Sequence, residues 1–174
     1  ASLIADRIVR YHLATMDRLN VEYDLLSWEG DILRLDFWET AFGLLKEAGV
    51  LFLQPTGPQA GCWVMEIKED RPDDSTDPRY KVVVRSDGTV TYVGKDIAYQ
   101  FWKFGLIGKN FKFRPYLTQR SGRTLWTTAT EGDGNHHMSP RFGHASAVFN
   151  VIDTRQAYLQ KLLRQALNAA GHNE

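Results

Sequence analysis

The sequence has one cysteine, no excess of either charge and no long apolar run, and each absence excludes a class of protein. Because Cys62 stands alone, no disulfide can form within the chain, and a reducing, cytoplasmic environment is the simplest one for it. No apolar stretch approaches the ~20 residues that a membrane-spanning helix needs. Lys plus Arg and Asp plus Glu both number 21, so the basic excess of a broad nucleic-acid-binding face is missing.

Common signatures of phosphate-binding loops, hydrolases and metal sites are missing as well. The sequence contains no Walker loop, no Gly-x-Gly-x-x-Gly and no Gly-x-Ser-x-Gly elbow. Zinc could be suggested only by residues whose spacing fits no common zinc pattern: Cys62, His136, His137 and His144. We therefore predict no metal ion and no tightly bound cofactor.

What the sequence does contain is apolar and aromatic material in ordinary globular proportion. Its 174 residues are 43% hydrophobic and 12% aromatic. That length suits one domain, or one domain with an inserted subdomain, and the aromatic content favours a well-filled core.

Helical and extended patterns alternate along the chain. The spacing of apolar residues predicts helices at 3–19, behind Asp36, at 96–104 and at 156–170. Short apolar or alternating runs predict strands at 21–26, 50–53, 62–67, 81–85 and 148–152, and Phe111, Phe113 and Tyr116 alternate like a strand. Asp36 and Glu39 resemble a capping box, and Gly49 is a natural helix end. This order favours an α/β fold with a more antiparallel middle.

Two stretches are polar and less informative. Residues 69–79 are rich in aspartate and proline, which is typical of a solvated loop. Residues 121–144 are polar and rich in glycine and threonine, and no element is predicted there. The chain begins without methionine and enters a helix almost at once, which suggests a segment of a longer protein.

Three segments resemble the arginyl-tRNA synthetases, a family of class I aminoacyl-tRNA synthetases. The longest is residues 80–99, YKVVVRSDGTVTYVGKDIAY, and two shorter ones are residues 23–31, YDLLSWEGD, and 150–158, NVIDTRQAY. They occur in the family's order, so the resemblance covers nearly the whole chain. It implies one compact unit, with 1–30 and 81–174 forming part of a Rossmann-like catalytic fold and 31–80 forming an inserted α+β subdomain.

The resemblance also implies a function. The full-length enzyme would join arginine to ATP, with magnesium, and pass the arginyl group to tRNA during protein synthesis. In this chain Glu29 and Asp96 would bind the guanidinium, Tyr92 would add a hydroxyl contact and Gln156 would reach the α-amino group. Carboxylates suit the planar, five-donor guanidinium, and residues four apart at a helix start, such as Tyr92 and Asp96, can face one cleft.

Each of these residues has a simpler interpretation. Asp96 suits a helix N-terminus for electrostatic reasons alone, and Gln156 could be a solvent-facing residue of a first turn. Tyr92 could belong to a core or an interface, and Glu29 could be a surface charge. Only their joint occurrence in the matched segments favours substrate contact.

The two ATP-handling motifs of the family, His-x-Gly-His and Lys-Met-Ser-Lys, are not found in the sequence. Residues 138–141, MSPR, lie on the wrong side of the 150–158 segment and lack the lysines. We therefore expect no catalytic residue here and no activation of arginine by this chain alone. Two alternatives stay open: a non-catalytic module that binds arginine or docks on a partner, and an unrelated α/β domain.

Overall fold

The computed structural model of the chain describes residues 2–67, 79–130 and 141–172. By their contacts the residues form two compact units, Ala1–Asp31 with Phe111–Ser139 and Ile32–Asn110 with Pro140–Glu174. Both units combine helices with strands, so the predicted mixture of α and β structure is confirmed. Among the described residues, no helix is both long and apolar enough to cross a membrane.

The described ranges contain five α-helices and six short strands. The helices are α1 (Ser2–Arg18), α2 (Glu29–Arg34), α3 (Phe37–Glu47), α4 (Tyr92–Lys103) and α5 (Ala157–Ala169). The strands are β1 (Leu25–Leu26), β2 (Phe52–Leu53), β3 (Trp63–Glu66), β4 (Tyr80–Val84), β5 (Lys112–Thr118) and β6 (Thr124–Ala129). A 3-10 turn, Thr154–Gln156, precedes α5.

The first unit has a three-stranded sheet in the order β1-β6-β5. Strand β1 runs parallel to β6, with Leu25 opposite Trp126, and β5 runs antiparallel to β6. The register of β5 shifts after Pro115, which has no backbone N–H to give to a ladder. Strand β6 lies in the polar stretch for which the sequence predicts no element, because threonines take the place of apolar residues on its buried side.

The second unit has an antiparallel sheet in the order β2-β3-β4 and three helices. Helix α4 contacts α3, α5 and β4, so it lies at the centre of this unit. The unit's fully buried side chains come from all of these elements and include Phe37, Leu45, Leu51, Val64, Met65, Val83, Ile97, Phe101 and Leu162. The predicted helices behind Asp36 and at 96–104 and 156–170 are confirmed, although α4 begins four residues earlier than predicted, at Tyr92.

The capping box predicted at Asp36 is wrong. Asp36 precedes α3 in the left-handed conformation, with φ at 57°, and its side chain makes no capping hydrogen bond. An N-cap side chain reaches the helix from an extended backbone, and the left-handed backbone of Asp36 does not offer that direction. The predicted helix end is confirmed, since α3 ends at Glu47 and Gly49 has a φ of +70°.

The strand predicted at 148–152 is also wrong for the described residues. This segment is irregular, and the side chains of Phe149 and Val151 are almost completely exposed. A strand needs a neighbour to satisfy its backbone N–H and C=O groups, and no described strand pairs with this segment. Likewise, the strand predicted at 21–26 is reduced to Leu25–Leu26.

The contact-based units cut the chain at other places than the division predicted from the sequence, which groups 1–30 with 81–174 and sets 31–80 apart. That division stays a prediction.

Candidate functional site

The four residues predicted to recognise arginine fall in different units. Glu29 belongs to the first unit, whereas Tyr92, Asp96 and Gln156 belong to the second. Each unit has a polar or charged arrangement of its own around these residues.

Glu29 is exposed at the first position of α2, and Ser27 and Trp28 separate it from strand β1. The backbone N–H of Trp28 donates to Thr128 Oγ1 over 3.0 Å, and its indole Nε1 donates to Thr127 Oγ1 over 2.8 Å. The Thr128 hydroxyl donates in turn to the buried carboxylate of Asp31 over 2.8 Å. Because these bonds tie the start of α2 to β6, they fix the backbone from which the Glu29 side chain extends.

The threonines of this network were not among the residues that the sequence singled out. Thr127 and Thr128 are both buried in a stretch where hydrophobic periodicity is weak. Only the two-residue spacing of Leu125 and Thr127 could have pointed to a strand here. Both are buried, as expected for residues on one face of a strand.

Tyr92 and Asp96 occupy the first turns of α4, as the spacing predicted, and both side chains are exposed. The helix start is fixed by Thr91, whose hydroxyl lies 3.0 Å from the backbone oxygens of both Val82 and Val83 and whose N–H donates to Val83 over 2.9 Å. Strand β4 therefore determines where α4 begins and which way its first turn faces.

Asp96 lines a cavity of about 340 Å³ between α4, α5 and the irregular segment that precedes the 3-10 turn. The lining combines apolar side chains, such as Leu159 and Leu163, with polar ones, including Asn150 and Gln160. A mixed lining of this kind is typical of small-molecule sites, in which apolar walls surround a few polar groups.

Lys103 brings a positive charge into the same cavity. Its ammonium lies 3.4 Å from both Gln100 Oε1 and Asn150 Oδ1 and 4.6 Å from the centre of the Tyr99 ring. Burial lowers the pKa of Lys103, and the Asp96 carboxylate offsets part of that effect. The cavity lining thus includes a carboxylate, that of Asp96, and an ammonium group, that of Lys103.

Tyr92, at the start of α4, lies close to a second lysine, Lys81 of strand β4. Its hydroxyl hydrogen-bonds to the hydroxyl of Tyr158, and Lys81 Nζ lies 3.3 Å from Tyr158 Oη. The bond with Tyr158, aided by Lys81, lowers the pKa of Tyr92, while the pKa of Tyr158 is raised by its bond with Tyr92. Burial alone would lower the pKa of Lys81, but hydrogen bonds with the two tyrosines raise it overall.

Gln156 is the last residue of the 3-10 turn before α5, and its side chain is exposed. Asp153 caps this turn, since its Oδ1 accepts from the backbone N–H of Arg155 over 2.9 Å. The described cavity lining includes Gln160, one helical turn further on, but does not include Gln156. Of the three candidates in the second unit, Asp96 lies in the cavity, while Tyr92 and Gln156 begin the helices that flank it.

Within the described part of the chain, no group of three or more His, Cys, Asp or Glu side chains could hold a metal ion. Cys62 is a half-buried free thiol and His144 is exposed. The other residues of the zinc hypothesis, His136 and His137, lie outside the described residues, as do residues 138–140 of the MSPR segment.

Comparison with known proteins finds no matching family model but clear individual relatives. The chain is 39% identical over 171 residues to the arginine–tRNA ligase of Deinococcus radiodurans. The aligned region covers 98% of this chain and 27% of that protein. It is 37% identical over 171 residues to the Thermococcus kodakarensis arginine–tRNA ligase, covering 98% and 26% respectively. It is 41% identical over 167 residues to that of Thermus thermophilus, covering 96% and 26%.

A solved structure agrees with these relatives. The arginyl-tRNA synthetase of Thermus thermophilus superposes with a TM-score of 0.75 at 39% identity, over 96% of this chain and 27% of that one. The fold and the matched segments together define the chain as homologous to the aminoacyl-tRNA synthetases. Within that class, it is homologous over nearly its whole length to a segment of the arginine–tRNA ligases, and the resemblance predicted from the sequence is confirmed. The chain spans about a quarter of the length of these relatives.

Proposed function

We propose that this chain is the arginine-recognition part of an arginine–tRNA ligase. The observation that carries the proposal is the similarity over 98% of the chain to an enzyme named for that reaction. The whole protein would act in the cytoplasm, join arginine to ATP with the help of magnesium, and transfer the arginyl group to tRNA. We assign no catalytic group to the chain, whose part would be to select the amino acid.

The cavity of the second unit supports a role in selecting a cation. Asp96 is exposed, and its carboxylate lines a partly apolar space of about 340 Å³ where a cation would meet it. A guanidinium has five N–H donors in a plane and makes paired, charge-assisted bonds to a carboxylate. In this proposal Asp96 binds the guanidinium, the Tyr92 hydroxyl adds a contact and Gln156 reaches the α-amino group. Glu29, which belongs to the first unit, stays a prediction of the resemblance.

We further propose that the fold belongs to a Rossmann-like catalytic domain with an inserted α+β subdomain. The parallel pairing of β1 with β6 supports this, because parallel strands are typical of such sheets.

Isothermal titration calorimetry of L-arginine into this chain tests the proposal. The parent should give a saturable heat that Asp96→Asn removes, while Asp87→Asn, the same charge change in an exposed turn, should leave it intact. Equal binding by the parent and Asp96→Asn would refute the role of Asp96. A parent that binds no arginine would refute recognition by this chain.

A chimaera tests the enzymatic part. This chain would replace the matching segment of the Deinococcus radiodurans arginine–tRNA ligase, and charging of its tRNA with arginine would be measured. We expect activity in the chimaera and a loss of roughly 10- to 100-fold on Asp96→Asn, the range for a charged hydrogen bond. A folded chimaera that binds arginine but charges no tRNA would favour the alternative, a non-catalytic arginine-binding module.

A further inference from the structure

Three elements of the second unit converge on the Tyr92 side chain. Lys81 comes from β4, Tyr92 from the start of α4 and Tyr158 from the start of α5. The Lys81 ammonium lies 5.4 Å from the centre of the Tyr92 ring and 4.9 Å from that of Tyr158. With the hydrogen bonds from Lys81 to Tyr158 and between the two tyrosines, both the ring and the hydroxyl of Tyr92 are held.

These contacts restrict the side-chain conformations of Tyr92, which is partly exposed. Its side chain is 46% exposed, and an exposed tyrosine that must meet a ligand in one orientation loses rotamer freedom on binding. A contact that fixes the orientation beforehand reduces that loss. Lys81 and Tyr158 are suited to this role, since both are half-buried and come from elements packed around α4.

The charge of Lys81 makes the role testable. A lysine beside a site for a cationic ligand repels that ligand, so electrostatics alone predicts tighter binding of arginine when the ammonium is removed. Fixing the orientation of Tyr92 predicts the opposite, weaker binding. The two effects therefore differ in sign.

We propose that Lys81 and Tyr158 are positioning residues that hold the Tyr92 hydroxyl in the orientation required for arginine. This inference rests on the function proposed above and deepens it. Lys81 and Tyr158 act through Tyr92 and need no contact of their own with the ligand.

Arginine titrations into Lys81→Met and Tyr158→Phe provide the test. Lys81→Met removes the ammonium with its hydrogen bond, its ring contacts and its charge, whereas Tyr158→Phe removes only the hydroxyl and keeps the ring. We expect affinity to fall about 3- to 10-fold in each, the effect of releasing one ordered side chain. The Lys81→Arg variant should retain most of the parent's affinity for arginine. As a control, Tyr11→Phe, which changes an exposed tyrosine of the first unit, should bind arginine like the parent.

A double-mutant cycle separates positioning from a general structural effect. In a Tyr92→Phe background, neither Lys81→Met nor Tyr158→Phe should weaken binding further, because the hydroxyl they position is gone. Only the charge effect of Lys81→Met, which tightens binding, should remain. In the Tyr158→Phe variant, NMR of the labelled Tyr92 ring should also show its pKa rising, since the main cause that lowers it is lost.

Equal or tighter arginine binding by Lys81→Met and Tyr158→Phe would overturn the inference while leaving the proposed function in place. Full effects of both substitutions in the Tyr92→Phe background would also overturn it. A parent chain that binds no arginine would refute the proposed function, and this inference with it.

Discussion

The indole of Trp28 donates a hydrogen bond of 2.8 Å to the hydroxyl of Thr127, a residue 99 positions away in the chain. The Thr127 hydroxyl in turn donates a hydrogen bond of 3.1 Å to the backbone oxygen of Leu26. Together with the neighbouring bonds to Thr128, this relationship joins the end of β1, the start of α2 and the buried side of β6. The backbone that presents Glu29 is thus held by polar bonds in a buried place.

Replacing Thr128 by valine should destabilise the first unit by about 1–3 kcal/mol, because a buried carboxylate and a backbone N–H each lose a partner. Valine keeps the shape of threonine, so packing changes little. The measurement is the free energy of unfolding from urea titration. Thr118→Val, at an exposed position of β5, is the matched control and should change stability by less than about 0.5 kcal/mol. A loss as small as that of the control would show that the network contributes little.

Two helix glycines should respond in opposite directions to alanine. A Cβ at Gly94 of α4 would lie 2.8 Å from Val90 Cγ1 and 3.0 Å from the Trp38 ring, whereas one at Gly43 of α3 would meet nothing within 4 Å. Alanine gains about 1 kcal/mol over glycine in a helix, but overpacking costs about 1–3 kcal/mol. We therefore expect Gly43→Ala to raise the unfolding temperature and Gly94→Ala to lower it. A rise in both would mean that Trp38 moves aside without cost.

Elements that depend on local sequence patterns were predicted better than features that depend on tertiary contacts. Helix α5 and the strands β3 and β4 follow from local periodicity, and the structure has them where they were predicted. The antiparallel pairing of β3 with β4 was not predicted. The buried Thr128 of β6 depends on a neighbour distant in the chain, Asp31. The capping pattern gives no sign of the left-handed backbone of Asp36. The segment 148–152 has the composition of a strand but no described pairing partner, so its composition alone is not decisive.

In the candidate site, too, local patterns predict some residues and tertiary contacts determine the others. Tyr92 and Asp96 both lie at the opening of one helix, as predicted, although the apolar pattern placed the start of that helix at Asp96. The cleft that the two side chains were expected to share stays a prediction. Lys81, Lys103 and Tyr158 carry no local signal, since their importance comes from three elements that meet only in the folded unit. Sequence reasoning can therefore identify a residue with the right chemistry more easily than the residues that orient it.

The turn between β5 and β6 should loosen in acid because a carboxylate holds it. Glu22 accepts hydrogen bonds from the hydroxyl of Ser121 over 2.6 Å and from its backbone N–H over 2.9 Å. These bonds lower the pKa of Glu22, with smaller help from Arg123. The folded pKa is below the unfolded one, so the stabilisation is present above the unfolded pKa and lost as pH falls through the folded pKa.

Carbon-detected NMR of the side-chain carboxyl measures this directly. Ser121→Ala should raise the pKa of Glu22 towards its ordinary range, since the largest cause of the shift is removed. The pKa of Asp87, which is lowered by the N–H of Thr89 in the second unit, should stay unchanged and serves as the internal reference. A Glu22 pKa that does not move in Ser121→Ala would contradict the importance of this bond.

Lys81 and Lys103 of the second unit should affect arginine binding in opposite ways. Lys103 lines the cavity of Asp96, and its depressed pKa reflects burial that the nearby carboxylate only partly offsets. Its bonds to Gln100 and Asn150 are long, at 3.4 Å each, so it is held weakly. An arriving guanidinium would meet a like charge there. Removing that charge in Lys103→Met should tighten arginine binding by about 2- to 5-fold, the range of weak charge pairs.

Calorimetry of Lys103→Met against Lys161→Met, an exposed lysine of α5, distinguishes a local effect from a change in net charge. Only Lys103→Met should bind arginine more tightly, because Lys103 lines the cavity of Asp96 and Lys161 does not. Weaker binding by Lys103→Met would indicate that the ammonium meets the ligand's own carboxylate instead. In that case the cavity would hold both ends of the amino acid, with Asp96 and Lys103 as opposite poles.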